Sequence, residues 1–182
     1  MRQQLALSAV VLILACTASA AAQNPDFEVS AFLEPAGSYS DYHGFDLDTG
    51  LGAGVGWRFS PHWTAEGRFL LWDGDFADAE TYQLGLRYAF LDPGARWRPF
   101  LTGGLHLGQT DLRHEVVCVS APCPDNEQSV EDTGLFAGGG VDWQLSDWFA
   151  LRFEGRVQVY DSELSDDIEE DVDVTAGVVF RF

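Results

Sequence analysis

The chain ends on the stretch that decides its fold: Val172-Asp173-Val174-Thr175-Ala176-Gly177-Val178-Val179-Phe180-Arg181-Phe182. Every second side chain in this stretch, from Val172 to Phe182, is apolar, and the side chains between them are mostly polar or small. A period of two predicts a β-strand with one apolar face. The stretch is also about as long as the ~9–11 residues that a tilted strand needs to cross a bilayer.

Seven earlier segments show the same alternation, so we predict eight strands in an all-β fold. Short turns and long connections alternate between them, and no segment of any length has a helical period. This organisation is typical of an eight-stranded antiparallel up-and-down transmembrane β-barrel. The predicted strands are Phe27–Ala36, Thr49–Phe59, Trp63–Trp72, Thr81–Phe90, Arg98–Gly108, Thr133–Leu145, Trp148–Tyr160 and Val172–Phe182. The predicted long connections are 37–48, 73–80, 109–132 and 161–171.

Aromatic residues gather at the short-turn ends of the predicted strands, which indicates that the apolar face meets lipid. A membrane interface attracts tryptophan in this way, whereas a soluble core has no reason to concentrate it at one end. The alternative is a soluble lipocalin-like barrel, which turns its apolar face inward around a ligand. The predicted aromatic girdle consists of Trp57, Phe59, Trp63, Trp97, Trp143, Trp148, Phe180 and Phe182.

The other face carries charges of both signs, and every basic residue of the chain is arginine. Arginine opposite carboxylates favours a crowded interior of hydrogen-bonded pairs, and glycines in the same register make room for the long side chains. Three phenylalanines, Phe32, Phe100 and Phe136, break the pattern because they fall in this polar register. The predicted interior charge network consists of Arg58, Glu66, Arg68, Arg87, Arg98, Asp142, Arg152, Glu154, Arg156 and Arg181.

Three segments, Gly50–Phe59, Trp63–Arg68 and Val178–Phe182, resemble the OmpA/OmpX-like eight-stranded outer-membrane β-barrels, also described as porin-family barrel domains. The resemblance covers the chain from about Phe27 onward. It implies a Gram-negative outer membrane, insertion by the barrel-assembly machinery, and contact with outer-membrane lipid and lipopolysaccharide. The resemblance specifies the fold better than the function, because one fold hosts many roles.

The first 22 residues have the order of a signal peptide. A basic start is followed by the apolar run Leu5–Leu14 and by small residues before Gln23. We therefore predict a signal peptide over residues 1–22 and a barrel domain over residues 23–182. Lipoprotein processing at Cys16 is an alternative, but Leu14 is bulky for that signal.

Two cysteines, Cys118 and Cys123, remain in the exported chain. Since export leads to an oxidising compartment, we predict that they form a disulfide at the tip of the longest connection. The formal net charge is −19, which excludes a nucleic-acid partner.

The long connections are strongly acidic and predict a charged outer surface. Divalent cations could be held there, and the weak candidates for a metal site are Asp166, Asp167, Glu169 and Glu170. A solvated surface adapted to salt is the favoured interpretation. We predict no cofactor beyond such surface cations.

The sequence therefore predicts a non-enzymatic outer-membrane barrel with a structural or surface-interaction role through its acidic loops, including an extracellular partner. The alternative is a small or gated pore. A lipid A-modifying enzyme is a weaker alternative, because none of the four histidines is followed by a serine two residues later; they are His43, His62, His106 and His114.

Overall fold

The computed structural model describes the backbone of residues 27–40, 44–73, 77–113, 127–162 and 168–182. Side chains are described for residues 27–34, 50–72, 79–110, 131–161 and 170–182. The described backbone forms eight strands. They are β1 (Phe27–Ser40), β2 (Gly44–Arg58), β3 (Trp63–Asp73), β4 (Ala77–Ala89), β5 (Trp97–Arg113), β6 (Glu127–Ser146), β7 (Phe149–Ser162) and β8 (Ile168–Arg181).

The eight strands form one closed antiparallel barrel in which each strand pairs with its neighbours in sequence. The barrel closes where β1 pairs with β8, from Glu28 opposite Arg181 to Leu33 opposite Ala176. Closure gives every strand two hydrogen-bonded neighbours, which a bilayer demands of a spanning sheet. The predicted fold class is confirmed. No helix in the described residues could cross a membrane.

The strands are longer at their outer ends than the sequence predicted. Residues 109–113 and 127–132 were predicted to be loop, but β5 and β6 stay paired as far as Arg113 opposite Glu127. Likewise β1 and β2 stay paired as far as Ser40 opposite Gly44. Apolar and polar residues alternate only in the part of a strand where one face contacts lipid and the other contacts the polar interior. Beyond the lipid both faces of the strand contact water, so the sequence of these extensions shows no apolar alternation.

The apolar register faces outward and the charged register faces inward. Val172, Leu135 and Trp148 are 66%, 61% and 60% exposed, whereas Arg87 and Asp142 are each 1% exposed. A lipocalin-like barrel would have the opposite arrangement, so the soluble alternative is wrong.

Several predictions fall on residues outside the described part of the chain. The signal peptide, His43, His114, Cys118 and Cys123 belong to this group, as do Asp166 and Asp167. Glu169 has a described backbone only, and Glu170 lies exposed near the start of β8.

Candidate functional site: the charged barrel interior

The interior of the barrel is filled with ionisable side chains. Strand pleating turns every second residue inward, and eight strands enclose a space that side chains alone can fill. Among the described side chains, six carboxylates and six arginines are buried: Glu28, Glu34, Glu66, Asp142, Glu154 and Asp173, with Arg68, Arg87, Arg98, Arg152, Arg156 and Arg181. Equal numbers of acidic and basic side chains allow most of these groups to pair, which limits the cost of removing them from water.

Glu66 on β3 lies at the centre of the network and is surrounded by arginines from three strands. Its Oε1 accepts a hydrogen bond of 3.0 Å from Arg156 Nη2. Arg87 and Arg152 approach Oε2 at 3.5 and 3.9 Å, and Arg68 approaches Oε1 at 3.8 Å. One carboxylate therefore lies within 4 Å of four guanidinium groups, each of which also binds another carboxylate.

The outer half of the network is organised around Glu154 on β7. Arg68 donates to Glu154 Oε2, and Arg156 Nε donates to Oε1 at 2.8 Å. Arg156 also donates to the amide oxygen of Gln83, whose nitrogen donates to Gln158 at 3.4 Å. These bonds cross the lumen from β3 and β4 to β7.

The inner half, near the short turns, is organised around Asp142 and Glu28. Arg152 binds Asp142 through two bonds, Nε to Oδ1 at 2.7 Å and Nη2 to Oδ2 at 3.1 Å. Arg181 Nη2 donates to the same Oδ2 at 2.5 Å. Glu28 Oε1 accepts from Arg87 and from Arg152 Nη2. The bidentate pair and the shared acceptors fix the orientation of these guanidinium groups.

Arg98 departs from the predicted arginine–carboxylate pairing. It donates from Nε to the carbonyl oxygen of Leu91 at 3.1 Å and from Nη2 to that of Pro61 at 2.5 Å. These carbonyls belong to two different short turns, so Arg98 connects the turns across the end of the barrel. Arg58 lies half-buried at the same end.

The three phenylalanines that break the sequence pattern support the arginines. Phe32, Phe100 and Phe136 are all buried, and guanidinium carbons lie over their rings. Arg156 is 4.4 Å from the centre of the Phe136 ring and Arg68 is 4.9 Å from that of Phe32. Arg87 and Arg152 lie 5.4 and 5.2 Å from the centre of the Phe100 ring. Cation–π attraction of this kind strengthens when water is excluded.

Three of the interior glycines lie close to these rings. A Cβ at Gly52 would overlap the Phe32 ring, and a Cβ at Gly140 would lie 2.7 Å from Phe100 Cζ. A Cβ at Gly85 would lie 2.8 Å from Phe136 Cζ. Sequence reasoning assigned the glycines to the arginines, a contact that the structure shows at Gly138, where a Cβ would lie 2.9 Å from Arg156 Cγ.

The girdle residues lie together at the short-turn end of the barrel wall. The rings of Trp97 and Trp143 stack with their centres 5.1 Å apart and an interplanar angle of 8°. Trp148 packs against Phe180 at 6.1 Å, and Trp57 against Phe59 at 5.8 Å. Trp63 is 40% exposed and contacts Tyr88, while Phe182 is half-buried. This band is suited to the boundary between lipid tails and headgroups.

The two histidines among the described residues, His62 and His106, have different surroundings. His62 Nδ1 lies 2.9 Å from the carbonyl oxygen of Ala89 in a turn, and the ring of His106 stacks on Tyr160 at 5.6 Å. The described residues contain no cluster of three or more histidine, cysteine or acidic side chains that could hold a metal ion. In the part of the chain that the structure describes, buried side chains occupy the lumen.

An apolar exterior around a closed, charged interior defines a β-barrel protein of the membrane. The chain belongs to the outer membrane protein beta-barrel domain family, whose model matches residues 8–182. Membership of this family places the protein in the bacterial outer membrane. No curated protein matches the sequence.

Solved outer-membrane barrels have a similar fold at low sequence identity. The N-terminal β-barrel domain of Pseudomonas aeruginosa OprF superposes with a TM-score of 0.61 at 16% identity, covering 86% of this chain and 96% of that one. The Neisserial surface protein A gives 0.62 and 16%, covering 86% and 97%. Ail, the attachment invasion locus protein of Yersinia pestis, gives 0.54 and 14%, covering 86% and 96%.

Proposed function

We propose that the protein is a closed, non-enzymatic outer-membrane barrel that holds its acidic outer hairpins at the cell surface for interaction with a basic partner. The observation that carries the proposal is the network around Glu66, because its bonds cross the lumen and leave the scaffold closed. The side chains that fill the lumen stabilise the barrel, and binding loops are commonly positioned by such a rigid scaffold.

The β5–β6 hairpin is the proposed contact element. Its strands pair over 17 positions, and Glu127–Glu131 pair with β5 beyond the last β6–β7 pair, Asp132 opposite Ser162. The hairpin therefore extends past β7 on the outer side. The hairpin has several acidic residues, and Arg113 is its one basic residue apart from histidine. Complementary charge therefore favours a basic partner. A similar barrel, Ail, is named as an attachment protein.

The closed-barrel part is tested by conductance. Protein refolded into a planar lipid bilayer is expected to give no steady ion current, and a porin added afterwards checks that the bilayer can report one. A steady current from the wild-type protein would favour the pore alternative and contradict the closed scaffold.

The surface part is tested with a fluorescent polyarginine peptide and protein in lipid nanodiscs. Two variants each replace five acids by their amides. The test variant changes Asp111, Glu115, Asp125, Glu127 and Glu131, and the control changes Glu163, Asp166, Asp167, Glu169 and Glu170. We expect affinity to fall about tenfold or more in the test variant only, and to weaken with salt. Equal losses in both variants would show a nonspecific acidic surface and contradict a contact at this hairpin.

A further inference from the structure

The closure between β1 and β8 is the shortest pairing in the barrel. It has six paired positions in the described residues, whereas each of the other seven strand pairs has between nine and seventeen. Pairing stops at Leu33 opposite Ala176, although β1 and β8 both continue outward. Val172 and Val174 lie beside this unpaired stretch and are 66% and 58% exposed. The gap therefore lies at a level where the barrel wall is still apolar.

Two carboxyl groups bridge this gap on the inner side. Glu34 on β1 and Asp173 on β8 are 3% and 7% exposed, and their side chains are in hydrogen-bonding contact. Continuing the register would place Glu34 opposite Thr175, so Asp173 lies one inward-facing position further out. The contact thus begins where backbone pairing ends.

The arginines that face the pair are engaged elsewhere. Arg156 lies opposite Asp173 in the β7–β8 register, but its guanidinium binds Glu154, Glu66 and Gln83. Arg68 on β3 faces Glu34 and binds Glu154. Within the described residues, neither carboxyl of the pair is in salt-bridge contact with an arginine.

A proton supplies the missing donor. Two ionised carboxylates are acceptors only, and no donor from the described residues reaches Glu34 Oε1. A carboxyl pair can hydrogen-bond only when one member is protonated, and carboxylates that share a site rarely ionise together. The remaining acid that faces the pair is Asp171 on β8, whose Oδ2 accepts from the hydroxyl of Tyr160.

We propose that Glu34 and Asp173 form a proton-dependent latch that closes the outer part of the seam between β1 and β8. The closed latch holds one more proton than the open one, so alkaline pH favours opening. When the shared proton leaves, two like charges face each other, and the last backbone pairs of the seam, up to Leu33 opposite Ala176, separate. Opening then connects the outer end of the lumen with the surrounding lipid, while the network around Glu66 stays intact. This latch does not depend on what the outer hairpins bind.

The test is backbone hydrogen exchange of the full barrel in nanodiscs, measured by NMR and corrected for the intrinsic effect of pH. We expect protection of the amides of residues 30–33 and 176–179 to fall about tenfold or more from acidic to alkaline pH. Amides shared by β4 and β5 serve as the internal reference and should keep their protection. The latch would be overturned if protection fell equally at the β1–β8 seam and in the β4–β5 reference, or if it did not fall at the β1–β8 seam.

Variants test whether the shared proton, rather than another titrating group, causes the pH dependence of protection at the seam. Glu34→Gln provides an amide donor that needs no proton, so protection at the seam should become independent of pH. Glu170→Gln, at an exposed position of the same strand that does not face the pair, should respond as the wild type does. A Glu34→Gln response identical to the wild type would overturn the proposal, and Asp173→Asn repeats the test if Glu34→Gln does not fold. Seam protection that survives at alkaline pH only when Ca²⁺ is present would assign the bridge to a cation and also overturn the proton latch.

Discussion

The guanidinium carbon of Arg156 lies 4.4 Å from the centre of the Phe136 ring, inside a lumen filled with charge. The same arginine binds Glu66 and Glu154 through its nitrogens. Its flat apolar face and its charged edge are therefore both in contact. A buried arginine needs both kinds of contact, because its nitrogen donors must be satisfied while its faces exclude water.

We predict that Phe136→Ala destabilises the barrel by about 3–5 kcal/mol, because it leaves a cavity and removes the support of Arg156. Urea unfolding of protein refolded into lipid vesicles measures the change. The neighbouring Leu135→Ala is the control, since Leu135 is 61% exposed and faces outward. A loss at Leu135 equal to that at Phe136 would contradict a supporting role for the ring.

Glu66→Gln should cost about 3–5 kcal/mol in the same unfolding measurement, because four arginines around one acceptor lose their shared negative charge. Glu80→Gln is the matched control on an exposed position of β4. If Glu66→Gln proves as stable as Glu80→Gln, the centre of the network does not depend on this carboxylate.

Gly52→Ala should destabilise the barrel by about 1–3 kcal/mol, because the added methyl group would overlap the Phe32 ring. Gly52→Ala should cost less when it is introduced into the Phe32→Leu variant than into the wild type, because the leucine side chain is smaller than the phenylalanine ring. Gly94→Ala controls for the substitution itself, since nothing lies within 4 Å of its Cβ position. Strictly additive effects in the double-variant cycle would exclude the steric explanation.

The tryptophans of the girdle should report a shallow position in the membrane. Trp57, Trp97 and Trp148 are 51%, 51% and 60% exposed at the short-turn end. Lipids brominated near the headgroup are expected to quench tryptophan fluorescence more strongly than lipids brominated near the chain ends. The Trp148→Phe variant should lose part of this shallow quenching. Stronger quenching by the deep bromines would place the girdle inside the hydrocarbon and contradict the assignment.

The sequence was sufficient to predict the barrel because lipid imposes a strict alternation on every spanning strand. It predicted the inward register of Glu66, Arg87 and Arg152 for the same reason. It could not predict the outer extensions of β5 and β6, where no apolar face is required. Composition alone gave no sign that these residues continue the strands.

The partners inside the lumen depend on three-dimensional closure and were not predictable from alternation. Balanced charge indicated arginine–carboxylate pairs, but Arg98 binds the carbonyls of Leu91 and Pro61 instead. The three phenylalanines in the charged register could have been used for prediction. An aromatic residue in such a register, with glycine on a paired strand, indicates a ring that packs against an arginine. The contact between Glu34 and Asp173 has no such signal, because local spacing does not relate β1 to β8.

The bonds of the interior join residues that are far apart along the chain. Arg152 and Glu28 are separated by 124 positions, and Arg156 and Glu66 by 90. Contacts of such long range form late, because the ends of the chain must first meet. A half-built sheet would expose unpaired guanidinium groups, which hydrocarbon rejects strongly. We therefore expect the charged lumen to favour insertion of a closed barrel over a partly formed sheet, with β1 and β8 pairing last.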